Sequence, residues 1–445
     1  MNTPNAAPRY PSPGPAWLLV ALLTIAYVVS FVDRYILSLL IEPVKADLGL
    51  TDFQIGLLLG PAFGIFYATM GLPLGYLADR SRRTWIVAVG VAIWSVATTL
   101  SGLARSFAQM FVARVSVGVG EAALSPCAMS LIADSFPPNR RGKPIALYSS
   151  AISVGAALAA LLGAAVLTWA GTADGVTLPV VGTLAPWRTA FIVAGLPGLM
   201  LAPIFFMLRE PARIGSSPDR HRPHLGHMLS HVGRHALTYG CFASVFCYMT
   251  IVAYSHGWLA VTFLRTFGWP VETYALYNGL TLIVVGPLSV MFAGWLSDRL
   301  TQRGRTDAPM RIALLGLFLS VPPATIGPLL DSPVAAFVVL SASTVGSAFI
   351  SSVGVTALLQ IVPAGIRAQT IALYYMTISL TGLFLGPSLV GLLNDSVFGV
   401  NGVRYSVAVI PLIFGVPVMC IAPVTLRLYR RALTRSETSR PARGH

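Results

Sequence analysis

The stretch Gly75-Tyr76-Leu77-Ala78-Asp79-Arg80-Ser81-Arg82-Arg83 places one acid and three arginines between two apolar runs. Its first six residues return 219 positions later as Gly294-Trp295-Leu296-Ser297-Asp298-Arg299. A second loop, Phe136 to Tyr148, returns 226 positions later as Val362 to Tyr374, with six of thirteen positions identical. Each pair occupies the equivalent loop of its half. A chain that repeats two loop signatures in the same order is built from two related bundles.

The runs around these loops fix the class. Of 445 residues, 55% are hydrophobic and 10% charged, with a mean hydropathy of +0.74. A water-soluble protein carries about 25% charged residues, so this chain cannot cover a water-facing surface. Apolar spans of membrane-crossing length fall at 16–41, 52–77, 84–104, 108–133, 143–169, 187–208, 238–264, 271–296, 311–330, 334–361, 367–393 and 404–428. The expected fold is therefore an all-α membrane protein: twelve transmembrane helices in two pseudo-symmetric six-helix bundles. The bundles cover 16–208 and 237–428, joined by a cytoplasmic linker at 209–236. The segments 1–15 and 429–445 are expected as tails, the first of them disordered.

Charge placement orients the chain. Placing both termini and the even-numbered loops on one side gives that side 23 of the 30 Lys and Arg. The opposite side receives Lys45, Arg105, Arg188, Arg265 and Arg404, while Arg34 and Arg114 fall within spans. The bias puts both termini in the cytoplasm and the protein in the inner (plasma) membrane. The net charge of +14 is thus topological, with no basic soluble module to bind nucleic acid. Cys127, Cys241, Cys247 and Cys420 all lie in apolar runs, which argues against a disulfide framework or a zinc site.

Charges at bilayer depth cost a few kcal/mol or more each and mark functional sites. Span one carries Asp33 and Arg34; span four carries Arg114 and Glu121. Counted at about 1.5 Å per residue from the outer ends, Asp33 lies ~12 Å deep, Arg114 ~8 Å and Glu121 ~18 Å. Arg114 and Glu121 are seven apart and share a helix face. The proton affinity of a buried carboxyl responds to nearby charge, so Asp33 reads as the main proton carrier and Glu121 as the second. Arg34 or Arg114 is the group to hold a substrate phosphate or carboxylate. A structural ion-pair cluster is the plainer alternative.

These residues carry a family likeness. Over essentially its whole length the chain resembles the major facilitator superfamily, whose G-x-x-x-D-R-x-x-R signature fits Gly75, Asp79, Arg80 and Arg83. Phe31-Val32-Asp33-Arg34-Tyr35, and Arg114 with Gly118, Gly120 and Glu121, resemble the Spinster-like branch. That resemblance implies proton-linked movement of lysolipids or sphingosine 1-phosphate-like amphiphiles by alternating access, through a cavity lined by spans one and four. It also implies that Asp79 faces the start of span eleven near Arg367. Arg80 and Arg83 would pair with Asp134, closing a cytoplasmic gate mirrored by Asp298 and Arg299 near Lys143.

Other features weigh less. Gly60-Pro61, Gly286-Pro287 and Gly386-Pro387 are candidate helix bends. His221, His224, His227, His231 and His235 lie in the central loop without Cys or Glu. They read as a basic interfacial helix on lipid, not a metal site. Tyr254 and His256 are possible cavity-lining residues of the second half. No G-x-x-x-x-G-K-[ST] and no nucleophile constellation is present, so neither a nucleotide-driven pump nor an enzyme is expected. The expected partners are protons, an amphiphilic lipid or organic anion, and the bilayer, with no cofactor and a monomeric state. The rival cargo is a small organic acid; a non-transporting ligand sensor is the rival from another class.

Overall fold

In the computed structural model, residues 10–137, 140–171, 176–178, 182–213, 225–363 and 366–438 are described. Helices α1 (Pro13–Leu39), α2 (Ile41–Leu48), α3 (Asp52–Leu59), α4 (Pro61–Arg80) and α5 (Arg83–Ser101) open the chain. There follow α6 (Phe107–Glu121), α7 (Leu124–Ser135), α8 (Gly142–Gly171) and α9 (Pro186–Met207). The second half holds α10 (Leu225–Arg234), α11 (Ala236–Ser255), α12 (Leu259–Phe267), α13 (Val271–Gln302), α14 (Ala308–Ile326), α15 (Pro333–Ile361), α16 (Arg367–Leu393) and α17 (Val403–Thr438). Twelve segments among the described residues are long and apolar enough to cross a membrane. Their outer faces expose residues such as Val112, Met200 and Met291, which suit lipid and not water.

Three spans are each made of two helices. The second breaks at Gly60-Pro61, where the proline lacks an N–H to continue the ladder. The fourth breaks just after Glu121, and the seventh at a 3-10 turn, His256–Trp258. Broken helices at membrane depth free backbone groups and mark sites; all three breaks coincide with residues singled out by sequence. Pro287 and Pro387 instead lie inside continuous helices. One feature was not legible: β1 (Val176–Leu178) and β2 (Gly182–Leu184) pair as a small antiparallel hairpin between α8 and α9.

The chain divides into two units, 1–37 with 65–221, and 38–64 with 222–445. In the first, α5 packs tightly on α6: a Cβ on Gly120 would lie 2.7 Å from the Gly90 carbonyl oxygen. In the second, a Cβ on Gly346 would lie 2.6 Å from the Gly316 oxygen. Both glycines of the second pair lie 226 positions after those of the first, the offset of the second loop repeat. The internal repeat is therefore a repeat of packing as well as of loops. The second unit also contains α3, which lies on α16 with Gly56 and Gly60 against the Pro387 and Leu383 carbonyls.

Candidate functional site

The first unit buries its charges where α1 meets α6. Arg34 and Ser30, one helical turn apart on α1, both donate to Glu121 Oε2, at 2.5 and 2.7 Å. The i, i+4 spacing is what lets one carboxylate oxygen take both. Arg34 also lies 4.8 Å from the Phe31 ring centroid and 4.7 Å from that of Tyr67, so the guanidinium is held by aromatic faces as well as by charge.

Asp33 turns away from this group. It is wholly buried, and neither carboxyl oxygen has a hydrogen-bond partner among the described residues. Glu121, Arg114 and the Thr98 hydroxyl are its polar surroundings. Arg114 donates from Nη1 to the Asp33 main-chain carbonyl at 3.1 Å and lies 5.0 Å from the Phe191 ring centroid. Its Nε and Nη2 are buried without partners among the described residues. Two acids and two arginines are thus brought together, and among the described residues Arg34 and Glu121 form the one direct ion pair between them. Tyr27 stacks on Tyr148 at 4.7 Å, and the Tyr148 hydroxyl lies 3.2 Å from Ser125 Oγ.

The loop-motif residues separate. Arg83 is buried and binds Asp134, with Glu210 Oε1 at 2.7 Å, Ser130 Oγ at 2.8 Å and the Pro211 carbonyl completing its fork. Arg80 does not join it: the side chain is exposed and lies 3.9 Å from the Tyr76 ring centroid. The spacing of Arg80 along α4 carries it around to the outer face, which corrects the expectation that both arginines pair with Asp134. Gly75 has open space around it. The side chain of Asp79 lies outside the described residues, as do His221 and His224. In the second unit Asp298 is exposed, and Arg299 lies over the Trp295 ring at 5.2 Å.

Tyr254 and His256 sit at the break in span seven. The Tyr254 Cβ lies against Gly386 of α16, and Trp258 Nε1 donates to the Pro387 carbonyl at 3.0 Å. On and beyond α10, the His231 and His235 rings are 4.8 Å apart. Burial, together with its histidine and arginine neighbours, pushes the His231 imidazole below its usual range.

Sequence reasoning missed two charge clusters. In the second unit Arg265 binds Glu42 at 2.5 Å and Asp52 at 2.7 Å; Lys45 also pairs with Asp52, and Asn394 donates to it at 3.0 Å. Asp395 accepts from the Asp52 and Phe53 N–H groups at the start of α3. The available signal was that Lys45 and Arg265 belong to the poorly charged side, where a basic residue needs a reason. At the other end of this unit Asp307 takes Arg311 at 2.9 Å and Arg430 at 2.6 Å. Burial alone would raise its pKa, but these two guanidinium bonds outweigh it and hold the carboxyl below the usual range.

The fold and this arrangement define a class. The chain belongs to the Major Facilitator Superfamily, whose profile matches residues 23–380. It is a multi-pass membrane protein of a transporter family, and within that family it is similar to Spinster proteins. A bacterial homolog to human lysosomal transporter Spinster, in an inward-facing and unoccupied conformation, superposes with a TM-score of 0.78 at 25% identity, covering 98% of this chain and 100% of that one. Protein spinster of Drosophila melanogaster is 27% identical over 317 residues, 69% of this chain and 49% of its own length. An MFS-type efflux pump of Mycolicibacterium smegmatis is 28% identical over 387 residues, 86% of each chain. A probable L-galactonate transporter of Escherichia coli is 32% identical over 187 residues, 42% of this chain and 38% of its own.

Proposed function

We propose that the protein is a proton-coupled secondary transporter of the plasma membrane, with both termini cytoplasmic, working by alternating access on an anionic amphiphile. The observation that carries this reading is the Asp33 carboxyl, wholly buried and, among the described residues, in no ion pair, with Arg114, Glu121 and the Thr98 hydroxyl around it. A carboxyl with no direct ion pair can take and release a proton without breaking one. Asp33 is the proton carrier, and Glu121 is the second site, coupled to Arg34. Protonation of Glu121 weakens its hold on Arg34, which then offers its fork to a substrate phosphate or carboxylate. Arg114 answers the charge on Asp33 while anchored to its main chain. Gly75, Asp79, Arg80, Arg83, Asp134, Asp298 and Arg299 form the cytoplasmic gate in this reading, with Arg83 and Asp134 bracing one end of the first unit. Tyr254 and His256 contribute from the second.

Lysophospholipids and sphingosine 1-phosphate-like lipids are the preferred cargo, on the Spinster likeness. A small organic acid is the second reading, favoured by the similarity to the probable L-galactonate transporter. The test is flux in sealed proteoliposomes, with a labelled lysolipid or sphingoid phosphate, with and without an imposed pH gradient. Gradient-dependent lipid flux supports the first reading. No lipid flux, with a small organic acid collapsing the gradient, supports the second. Failure of both cargoes to respond to the gradient overturns proton coupling.

A further inference from the structure

Away from the buried charges, the first unit has a cleft of about 580 Å³ where α4 ends, α5 begins and the chain leaves α9. Arg80, Arg82, Arg209 and Arg213 line it, with Ser81 and Glu210. We propose that this cleft is a phosphate-binding site that takes the headgroup of an anionic membrane phospholipid.

Charge balance is the first argument. Among the described residues that line it, four guanidinium groups face one carboxylate, and that carboxylate is already engaged by Arg83 through Oε1 at 2.7 Å, with Arg213 at 4.0 Å. Four like charges in one concavity repel each other and concentrate field at its mouth. An anion there relieves the repulsion, and guanidinium forks match phosphate oxygens in pairs. Among the described residues Arg80, Arg82 and Arg209 form no ion pair, so their charge is available to such a ligand.

The arginines are also set in place. Arg213 donates to the Ala78 and Ser81 carbonyls at 2.8 and 2.6 Å, which fixes it at the rim of the cleft. Arg80 lies over Tyr76 at 3.9 Å and Arg82 over Trp85 at 5.0 Å. A guanidinium resting on a ring has fewer arrangements to lose when it binds.

The surroundings decide the source of the phosphate. Tyr76 and Trp85 are each 47% exposed; Leu77, next to Tyr76 in sequence, Phe206, whose ring lies 6.1 Å from that of Trp85, and Met207 after it are exposed large apolar residues. Trp and Tyr at helix ends belong to the interfacial level of a bilayer, and apolar side chains next to them lie against acyl chains. Basic clusters at that level recognise anionic headgroups. A free phosphate would use the arginines but leave the apolar flank unused.

The test uses the full chain in a non-ionic detergent, with dioleoyl phosphatidylglycerol, dioleoyl phosphatidylcholine or inorganic phosphate added, reading the thermal unfolding midpoint. Binding to the folded state raises that midpoint. Phosphatidylglycerol at about 100 times its Kd should raise it by about 3 °C, and by more than phosphatidylcholine does. The Arg82→Ala/Arg209→Ala double variant, which touches only exposed side chains, should lose at least half of that shift. Arg303→Ala, at an exposed arginine of the second unit, should keep it. Undiminished response in the double variant, or no response in the wild type, overturns the site. An equal shift with inorganic phosphate at the same concentration overturns the lipid source and leaves a free-anion site. Should the double variant not fold, Arg82→Gln and Arg209→Gln taken singly each give a smaller loss, and an unchanged shift in both overturns the proposal.

Discussion

Arg114 donates to the main-chain carbonyl of Asp33 at 3.1 Å and not to its carboxylate. The arginine is thereby fixed to α1 whatever the protonation state of the side chain. Proton uptake at Asp33 then changes a charge without dismantling a contact. Asp33→Asn copies the neutral form in shape and hydrogen-bonding size, so it should fold normally and abolish the pH-gradient-dependent part of flux. Proteoliposome flux measured with and without the gradient checks it. A variant that retains full gradient dependence would remove Asp33 from the coupling role.

Glu121 is different because it carries an ion pair. Its Oε2 takes both Arg34 and Ser30. Glu121→Ala takes the carboxylate from a largely buried guanidinium and should destabilise the fold by about 3 kcal/mol. Ser30→Ala removes one neutral donor and should cost about 1 kcal/mol. The double variant should cost less than the sum, because both act on one oxygen. Thermal unfolding of the three variants in detergent gives the comparison; strict additivity would mean that Ser30 and Glu121 act separately.

The twelve spans and the two-bundle plan were legible because apolar run length and repeated loop signatures are properties of a single strand of sequence. The partners of the charges were not. Asp33, Arg34, Arg114 and Glu121 could be singled out by depth alone, yet which of them pairs depends on helix rotation, and one residue's step separates Asp33 from Arg34. Arg80 and Arg83 show the same limit: three positions apart in one loop, one is buried against Asp134 and the other rests on Tyr76. Arg83 finds Glu210, 127 residues onward, because α5 begins where the chain leaves α9. The Asp52 cluster joins residues from four separated segments, and none of them has a local motif to announce it.

That cluster gives a graded prediction. The Asp52 side chain is fully buried and holds Arg265, Lys45 and Asn394, whereas the Glu42 side chain is 33% exposed and holds Arg265 alone among the described residues. Asp52→Ala should cost about 3–5 kcal/mol, since it strands buried partners. Glu42→Ala should cost under about 1 kcal/mol, as water can replace it. Unfolding midpoints in detergent, with hydrogen exchange over residues 41–59, would show the difference. Equal costs would mean that the cluster is solvated in solution.

The repeated glycine contact predicts matched sensitivity in the two halves. Gly120→Ala puts a methyl 2.7 Å from the Gly90 oxygen, and Gly346→Ala puts one 2.6 Å from the Gly316 oxygen. Both oxygens are backbone atoms and cannot rotate away, so each change should cost about 1–3 kcal/mol. Gly71→Ala meets nothing within 4 Å and should be neutral or slightly stabilising. Expression-normalised unfolding midpoints of the three variants test this. Tolerance at either crossing would mean that its helices have room to move apart.

Asp307 supplies the pH dependence. Burial opposes its ionisation, but Arg311 and Arg430 hold its carboxyl below the usual value. A carboxyl depressed in the folded state stabilises that state above its unfolded pKa of about 4 and stops doing so as pH falls through the folded value. Asp307→Asn should therefore be less stable than wild type at neutral pH. The gap should narrow as the pH drops below about 4, because wild type then loses what the variant never had. Unfolding midpoints across that range, in a detergent stable to acid, decide the matter. A gap that persists unchanged would place the contribution of Asp307 in its shape at the start of α14, with its charge playing no part.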